Sequence, residues 1–358
     1  MAFVLSLAML ACGTDESGAP EGEAQQPQSS PEIREPKAGE TFTIGFYNME
    51  NLFDTKDDPD TYDEDFLPSN QEKPWTVERY NTKKQNLAEV VAKFGDEDGP
   101  ELLGVCEVEN QQVLEELVAE ESLKGRNYGI VHRESSDGRG IDNALLYKKD
   151  CFKPTKVTSH KLTFPSEPNY DSRDIFVVHG EFFGKPIVLI VNHWHSRSGG
   201  REKSEPRRLV AASKVKAVLK DLLAESPDTP IFVMGDFNDE PTNKSLSRIG
   251  AVGPKVFKGE EGQLLSAMYE LDQQGKGSYK YRDNWNMLDQ VILSSGLTDG
   301  QGLEYVEGSA TVFDPEWLRQ QKPEKYKGSP LRTFGGRKYL GGYSDHFPVY
   351  VKVELVEE

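Results

Sequence analysis

Six short stretches carry side chains able to hold a cation or move a proton: Tyr47-Asn48-Met49-Glu50-Asn51, Val105-Cys106-Glu107-Val108-Glu109-Asn110, Val191-Asn192-His193-Trp194-His195, Gly235-Asp236-Phe237-Asn238, Leu288-Asp289-Gln290 and Ser344-Asp345-His346. Taken singly each has a bland explanation. Asn48 and Asn238 suit turns, Asp289 suits a strand end, and His193 suits a hydrogen-bonded place in a core. Together they form a set of carboxylates, carboxamides and imidazoles with no Cys cluster, which suits a hard divalent cation, Mg²⁺ or Mn²⁺ with Ca²⁺ as a further option, rather than structural zinc. Hydrolysis is the natural use of such a set. A cation neutralises phosphate oxygens, an acid or imidazole activates water, and a second imidazole steadies the developing negative charge.

Nearly all these residues border apolar runs, so a sheet must position them. The runs Thr43–Tyr47, Leu102–Val105, Ala144–Tyr147, Ile175–Phe182, Ile187–Asn192, Ile231–Met234, Gln290–Leu293 and Pro348–Leu355 read as strands. Thr76 to Phe94 reads as a helix with Thr76 as its N-cap, and Leu209 to Ala224 as an amphipathic helix. This alternation implies α/β architecture in one domain, without internal repeats.

The ends of the chain have a different character. Residues 1–12 are an apolar run too short to span a bilayer, closing on Ala11 and Cys12. They read as a lipoprotein-type signal segment with Cys12 as the lipidation site, although no Lys or Arg precedes the run and Met9 stands where such signals usually carry Leu. A cleaved secretory signal or a frayed N-terminus is the alternative. Residues 13–40, rich in Gly, Pro, Gln, Ser and Glu, read as a disordered tether, and 41–358 as a single catalytic domain. The expected location is extracytoplasmic, secreted or held in the cell envelope.

A net charge of -18 argues against tight, non-specific nucleic-acid binding through a broad basic face. It leaves room for a nuclease that concentrates a few Arg residues and a cation in a cleft. Cys106 reads as a small buried hydrophobe, Cys151 follows the charged Lys148-Lys149-Asp150, and nothing local demands a bridge between them. The acidic run from Asp54 to Asp65 lacks the Gly and terminal Glu of an EF-hand and reads as a solvated loop at a rim.

The six motifs, in this order, resemble the endonuclease/exonuclease/phosphatase superfamily, which groups pancreatic-type deoxyribonucleases, abasic-site nucleases, neutral sphingomyelinases and inositol-polyphosphate phosphatases. Tyr-Asn-Met-Glu-Asn-Leu-Phe-Asp, Asn-His-Trp-His-Ser-Arg and Trp-Asn-Met-Leu-Asp-Gln look like bacterial secreted or lipoprotein endonuclease-like members. The resemblance spans Thr41 to about Leu355. It implies a four-layer α-β-β-α sandwich of two mainly antiparallel sheets flanked by helices, with the site at one edge. It further implies Glu107 as principal metal ligand, with Asn48, Glu50 and Asp345 around it. Asp236 and Asn238 would position and activate water and touch the scissile phosphate, His193 would stabilise the transition state or aid the leaving group, and Asp289 would orient His346. Either Asp236 or His346 would take the proton.

For gripping phosphate, Arg173 resembles the Arg that pancreatic-type nucleases use, and Arg197 follows the His193 motif; Arg139 and Trp285 are weaker candidates against ordinary surface pairing or packing. His132, His160, His179 and His195 revert to structural roles. The expected activity is phosphodiester hydrolysis of DNA or RNA by in-line attack of water. A phosphatase or phospholipase acting on inositol phosphates, nucleotides or sphingomyelin is the alternative, and a catalytically silent envelope binding protein a second one. The shared fold does not choose among these substrates.

Overall fold

The computed structural model describes residues 33–95 and 98–356; Cys12 and the tether residues up to 32 lie outside them. In chain order the strands and helices are β1 (Thr41–Leu52), α1 (Val77–Lys93), β2 (Leu102–Val108), α2 (Gln111–Val118), β3 (Tyr128–His132), β4 (Asp142–Lys148), β5 (Phe152–His160), β6 (Ile175–Phe182), β7 (Lys185–His193), α3 (Arg201–Glu225), β8 (Ile231–Asp236) and α4 (Lys244–Ile249). Shorter pieces follow: β9 (Ala251–Val252), β10 (Leu264–Ser266), α5 (Tyr269–Gln273), β11 (Tyr279–Tyr281), β12 (Asn284–Asn286), β13 (Asp289–Leu293), β14 (Leu303–Tyr305), β15 (Thr311–Val312), β16 (Phe334–Gly335), β17 (Lys338–Tyr339) and β18 (Val349–Leu355).

Two seven-stranded sheets carry the architecture. One runs β14-β18-β1-β2-β4-β3, with β15 also on β18; the other runs β5-β6-β7-β8-β13-β10-β9. Each is largely antiparallel but has a parallel pair at its heart, β1 with β2 and β7 with β8. Three apolar clusters make the layers. Phe46, Met234, Leu189 and Val351 fill the space between the sheets, Leu87, Val91 and Leu114 seat α1 and α2 on the first sheet, and Val215, Leu219 and Leu246 seat α3 and α4 on the second. This is the expected four-layer sandwich.

The central strands are apolar on both sides because both faces are covered. Close approach of the sheets needs a residue without a side chain at Gly104, where a Cβ would lie 2.7 Å from Met234 Sδ. Thr76 caps α1, its hydroxyl accepting from Arg79 N at 3.3 Å. Helix α3 begins at Arg201, eight residues before the apolar periodicity starts, with Pro206 inside it; its charged opening hid those turns.

Residues 33–40, read as the end of the tether, touch the domain. Arg34 N donates to Asp150 O at 2.8 Å, its guanidinium lies 5.0 Å from the Phe183 ring centroid, and it pairs with Glu40 at 2.7 Å. Cys106 and Cys151 are free and buried. The acidic run is not merely solvated: Asp54 and Asp63 are buried, Asp54 N donates to Glu109 at 2.6 Å, and Tyr62 N donates to Gly138 O at 2.8 Å. Backbone contact pins this loop to its neighbours.

Candidate active site

The two central parallel pairs, β1 with β2 and β7 with β8, aim their carboxyl ends at one edge of the sandwich. In the first sheet Asn48 pairs in register with Cys106, next to Glu107. In the second His193 pairs with Asp236, and Asp236 in turn with Asp289 on β13. The strand ends are bent rather than regular. Register slips between Asn48 and Leu52 and between Cys106 and Val108, and Glu50, Asn51, Glu107 and Asn238 have φ of 48°, 56°, 58° and 49°. Left-handed backbone at non-glycine residues is strained, and bulges of this kind re-aim side chains. Here they turn polar groups toward the edge.

Four side-chain atoms crowd one small volume. Asn48 Nδ2 donates to Glu107 Oε1 at 3.1 Å and to Asp236 Oδ2 at 3.2 Å. His193 Nε2 stands 3.6 Å from the first oxygen and 3.7 Å from the second. Asn238 supports Asp236 from behind, its backbone N–H donating to Oδ1 at 2.9 Å and its amide to Oδ2 at 3.2 Å. On the far side His346 Nδ1 donates to Asp289 Oδ2 at 2.6 Å, leaving Nε2 facing Asp236 Oδ2 at 4.0 Å. Ser278 Oγ also donates to Asp289. Glu107, His193, Asp236, Asn238 and His346 open on a cleft of about 1160 Å³, which Asp345 also lines, while Asn48, Asp289 and Ser278 are fully buried.

Burial and neighbouring charge set opposite protonation states for the two histidines. Burial first, then Arg173 and Arg139, hold His193 well below its ordinary value, so it is a neutral imidazole whose Nδ1 finds no partner. For His346 burial opposes charge, but Asp289 and Asp236 outweigh it and keep the ring protonated. Asp236 is pushed up to about 7, chiefly by burial and partly by Asp289, against the pull of His346.

Glu107, His193 and Asp236 each offer a ligand atom within 4.8 Å of the others. That spacing and this oxygen-rich set fit a small divalent ion. Asp345, part-exposed in the same cleft, adds a carboxylate that rests on Arg332 at 3.3 Å.

Not every expected residue reaches the cleft. Glu50 turns away: its Oε2 accepts from Thr333 N at 2.7 Å and Thr333 Oγ1 at 2.8 Å and lies 3.5 Å from the buried Lys83 ammonium. Asn48 is fully buried beneath Glu107 and Asp236, with its Oδ1 accepting from Glu50 N at 2.9 Å. Arg173 borders the cleft but is buried, committed to Asp137 at 3.0 Å and Trp194 O at 2.8 Å. Arg197 braces the Asn238 loop, donating to Asn238 O at 2.7 Å and Asn286 Oδ1 at 3.0 Å. Arg139, exposed and lining the cleft, is the better placed cation.

Sequence reasoning missed Ser278 and Tyr279. The first holds Asp289, and the second packs at a tilt against His346 with ring centroids 4.8 Å apart. Both sit in Gly-Ser-Tyr-Lys-Tyr, which has the polar and aromatic alternation of a hairpin but no catalytic signature.

The sequence profile of the endonuclease/exonuclease/phosphatase family matches residues 43–355, which includes every residue of this constellation. The chain belongs to the endonuclease/exonuclease/phosphatase family. Among solved structures of this family fold it is similar to a mannosyl-6-phosphatase from Bacteroides thetaiotaomicron, at 19% identity and a TM-score of 0.52 over 88% of this chain and all of that one. It is also similar to the human Nocturnin catalytic domain, at 16% and 0.51 over 88% and 95%. D. rerio TDP2, solved with a single-strand DNA product, matches at 13% and 0.53 over 88% and 99%. Among curated proteins none matches the chain. At these identities the likeness carries the fold, and the residues must carry the chemistry.

Proposed function

We propose that the protein is a divalent-cation-dependent phosphodiesterase acting on nucleic acid. The observation that carries this reading is the convergence of Glu107, His193, Asp236, Asn238 and His346 on one cleft, with Asp236 near neutrality beside a protonated His346. In this reading Asp236, held by Asn238, accepts the proton of the attacking water. The His346 imidazolium, fixed by Asp289, steadies charge on the phosphate oxygens, and neutral His193 donates a hydrogen bond to them. A His346 ring that Asp289 and Asp236 hold well above its ordinary value is a poor base at neutral pH, which favours Asp236 for that role. Glu107 and Asp345, with Asp236 nearby, would hold the cation, which supplies further neutralisation of phosphate charge when bound.

Cleft size and rim favour nucleic acid over a small phosphate. Its volume exceeds the roughly 300–1,000 Å³ of small-molecule sites, and the exposed Tyr62, Tyr281 and Arg139 line it, the residue types on which bases stack and phosphates rest. The TDP2 structure with single-strand DNA product agrees with that choice. Two observations favour the phosphomonoesterase reading instead: the net charge of -18 and the likeness to a mannosyl-6-phosphatase. Purified protein offered single-stranded DNA, RNA, a bis-aryl phosphodiester, sphingomyelin, inositol phosphates and sugar phosphates, with Mg²⁺, Mn²⁺, Ca²⁺ or chelator, separates them. Turnover confined to monoesters or lipids would defeat the nuclease reading.

The extracytoplasmic location rests on the leader, and lipidation on Cys12. Replacing Cys12 by Ala should release the protein from the membrane fraction; retention there would exclude a lipid anchor at this residue.

A further inference from the structure

The hairpin formed by β11 and β12 is a wall with two different faces. Side chains alternate along a strand, so Tyr279 and Tyr281, with Asn286 across from Tyr279, face the catalytic cleft. Lys280 and its cross-strand partner Trp285 face the other way, into a second groove of about 560 Å³. That groove is basic. Lys276, Lys280, Lys327 and Arg319 line it against a single acid, Asp314, which is already paired with Arg319 at 2.6 Å. Lys327 has only a loose, exposed partner, Glu324 at 3.7 Å; Lys276 and Lys280 have no ion pair among the described residues. Lys280 lies 5.4 Å from the Trp285 ring centroid, and Trp285 rests on Phe347, the residue after His346.

Three lysines without a close anionic partner in one groove are unexpected in a chain of net charge -18. The wall between this groove and the cleft is one hairpin. Its tip carries an exposed Tyr281 with the Arg282 guanidinium 5.2 Å from the ring centroid. A chain whose phosphate sits at His346 therefore has a route over an aromatic and cationic crest into the lysine groove. Stacking platforms beside cationic tracks are how proteins hold single strands without reading sequence.

We infer that the Lys276–Lys280–Lys327 groove is an extended subsite for single-stranded nucleic acid, binding backbone phosphates several nucleotides away from the bond being cut. This rests on the nuclease reading of the cleft and adds to it: substrate length, not only the scissile phosphate, sets affinity. Duplex cannot follow the route, because a stiff double helix does not fold over a crest one hairpin wide.

The test uses the full-length protein and a K276Q/K280Q/K327Q variant, whose sites are on or near the surface and outside the catalytic set. In chelator, fluorescence anisotropy should show a 20-nucleotide oligo-dT binding the parent about tenfold more tightly than the variant, with the slope of log Kd against log salt reduced by about 2. With Mg²⁺ or Mn²⁺, KM for the 20-mer should rise similarly while KM and kcat for a thymidine dinucleotide stay unchanged. Equal affinity of parent and variant for the 20-mer overturns the subsite, whatever the enzyme hydrolyses. So does an equal rise in KM for the dinucleotide and the 20-mer. Loss of binding to phosphatidylglycerol vesicles with oligo-dT binding intact would assign the groove to a membrane surface and reject the proposal. Failure of both proteins to cut either oligonucleotide, with binding behaving as expected, would instead reject the nuclease reading while leaving the groove a nucleic-acid site.

Discussion

Asp236, the proposed base, carries a cost in stability. Its carboxyl is buried and held up to about 7, so between its unfolded value near 4 and about 7 the folded state binds a proton that the unfolded chain has released. Stability therefore falls as pH rises through that window and stays low above it. Asp236→Asn should remove this cost while lowering kcat about 10²- to 10⁴-fold. Urea unfolding in chelator is the check: the variant should be more stable than the parent at pH 8, by a margin that shrinks toward pH 5. An unchanged margin would show that the carboxyl titrates normally. Glu107 and Asp236 were legible in the sequence because their residue types flank apolar runs. That Arg173 is spent on Asp137 and Trp194 O, leaving Arg139 in the open cleft, was not, since a guanidinium's partners lie far away in the chain.

At the level of elements, the segment carrying Asp345 and His346 must be held against β1. Lys83, from α1, holds it there. The Lys83 ammonium donates to Thr333 Oγ1 at 2.8 Å and Tyr343 O at 2.6 Å, beside Glu50 on β1. Burial pushes Glu50 up to about 7 despite Lys83, so the pair has little surplus to lose. Lys83→Met should destabilise by about 3–5 kcal/mol, because it strands a buried carboxylate. Adding Glu50→Gln should recover a large part of that loss; a double variant as unstable as the sum of the singles would refute the pairing. The closest packing between the sheets is tested at Gly104. Gly104→Val forces a branched side chain against Met234 and should cost about 1–3 kcal/mol or more, read as a lower urea midpoint with the slope unchanged.

Across the whole molecule, charge sets the response to ions. A chain of net charge -18 repels itself when folded, and the carboxylates of Glu107, Asp236 and Asp345 add to this at one edge. Chelated protein should melt at a higher temperature as ionic strength rises from about 0.01 to 0.15 M, over which the screening length falls from about 30 to 8 Å. Millimolar Mg²⁺ or Mn²⁺ should add a further rise that Glu107→Gln abolishes. A melting temperature indifferent to the divalent ion, with hydrolysis intact in chelator, would remove the cation from the mechanism.

Much was written locally in the chain. The strands β1, β2, β6, β7, β8, β13 and β18, the helix α1 with its Thr76 cap, and the six polar motifs at strand ends follow from apolar runs and residue types, which act over a few neighbours. Strand β5, the β11–β12 hairpin and the first turns of α3 escaped notice, because polar residues interrupt their apolar ones and only their partners stabilise them. Tertiary structure alone decided that Glu50 faces Lys83 instead of the cleft and that one histidine is held neutral while the other is held toward its protonated form. It alone set a lysine groove behind the wall that Tyr279 presents to His346. Hydrogen-bond partners, burial and field all come from residues tens to hundreds of positions apart, and no local pattern encodes which of them meet.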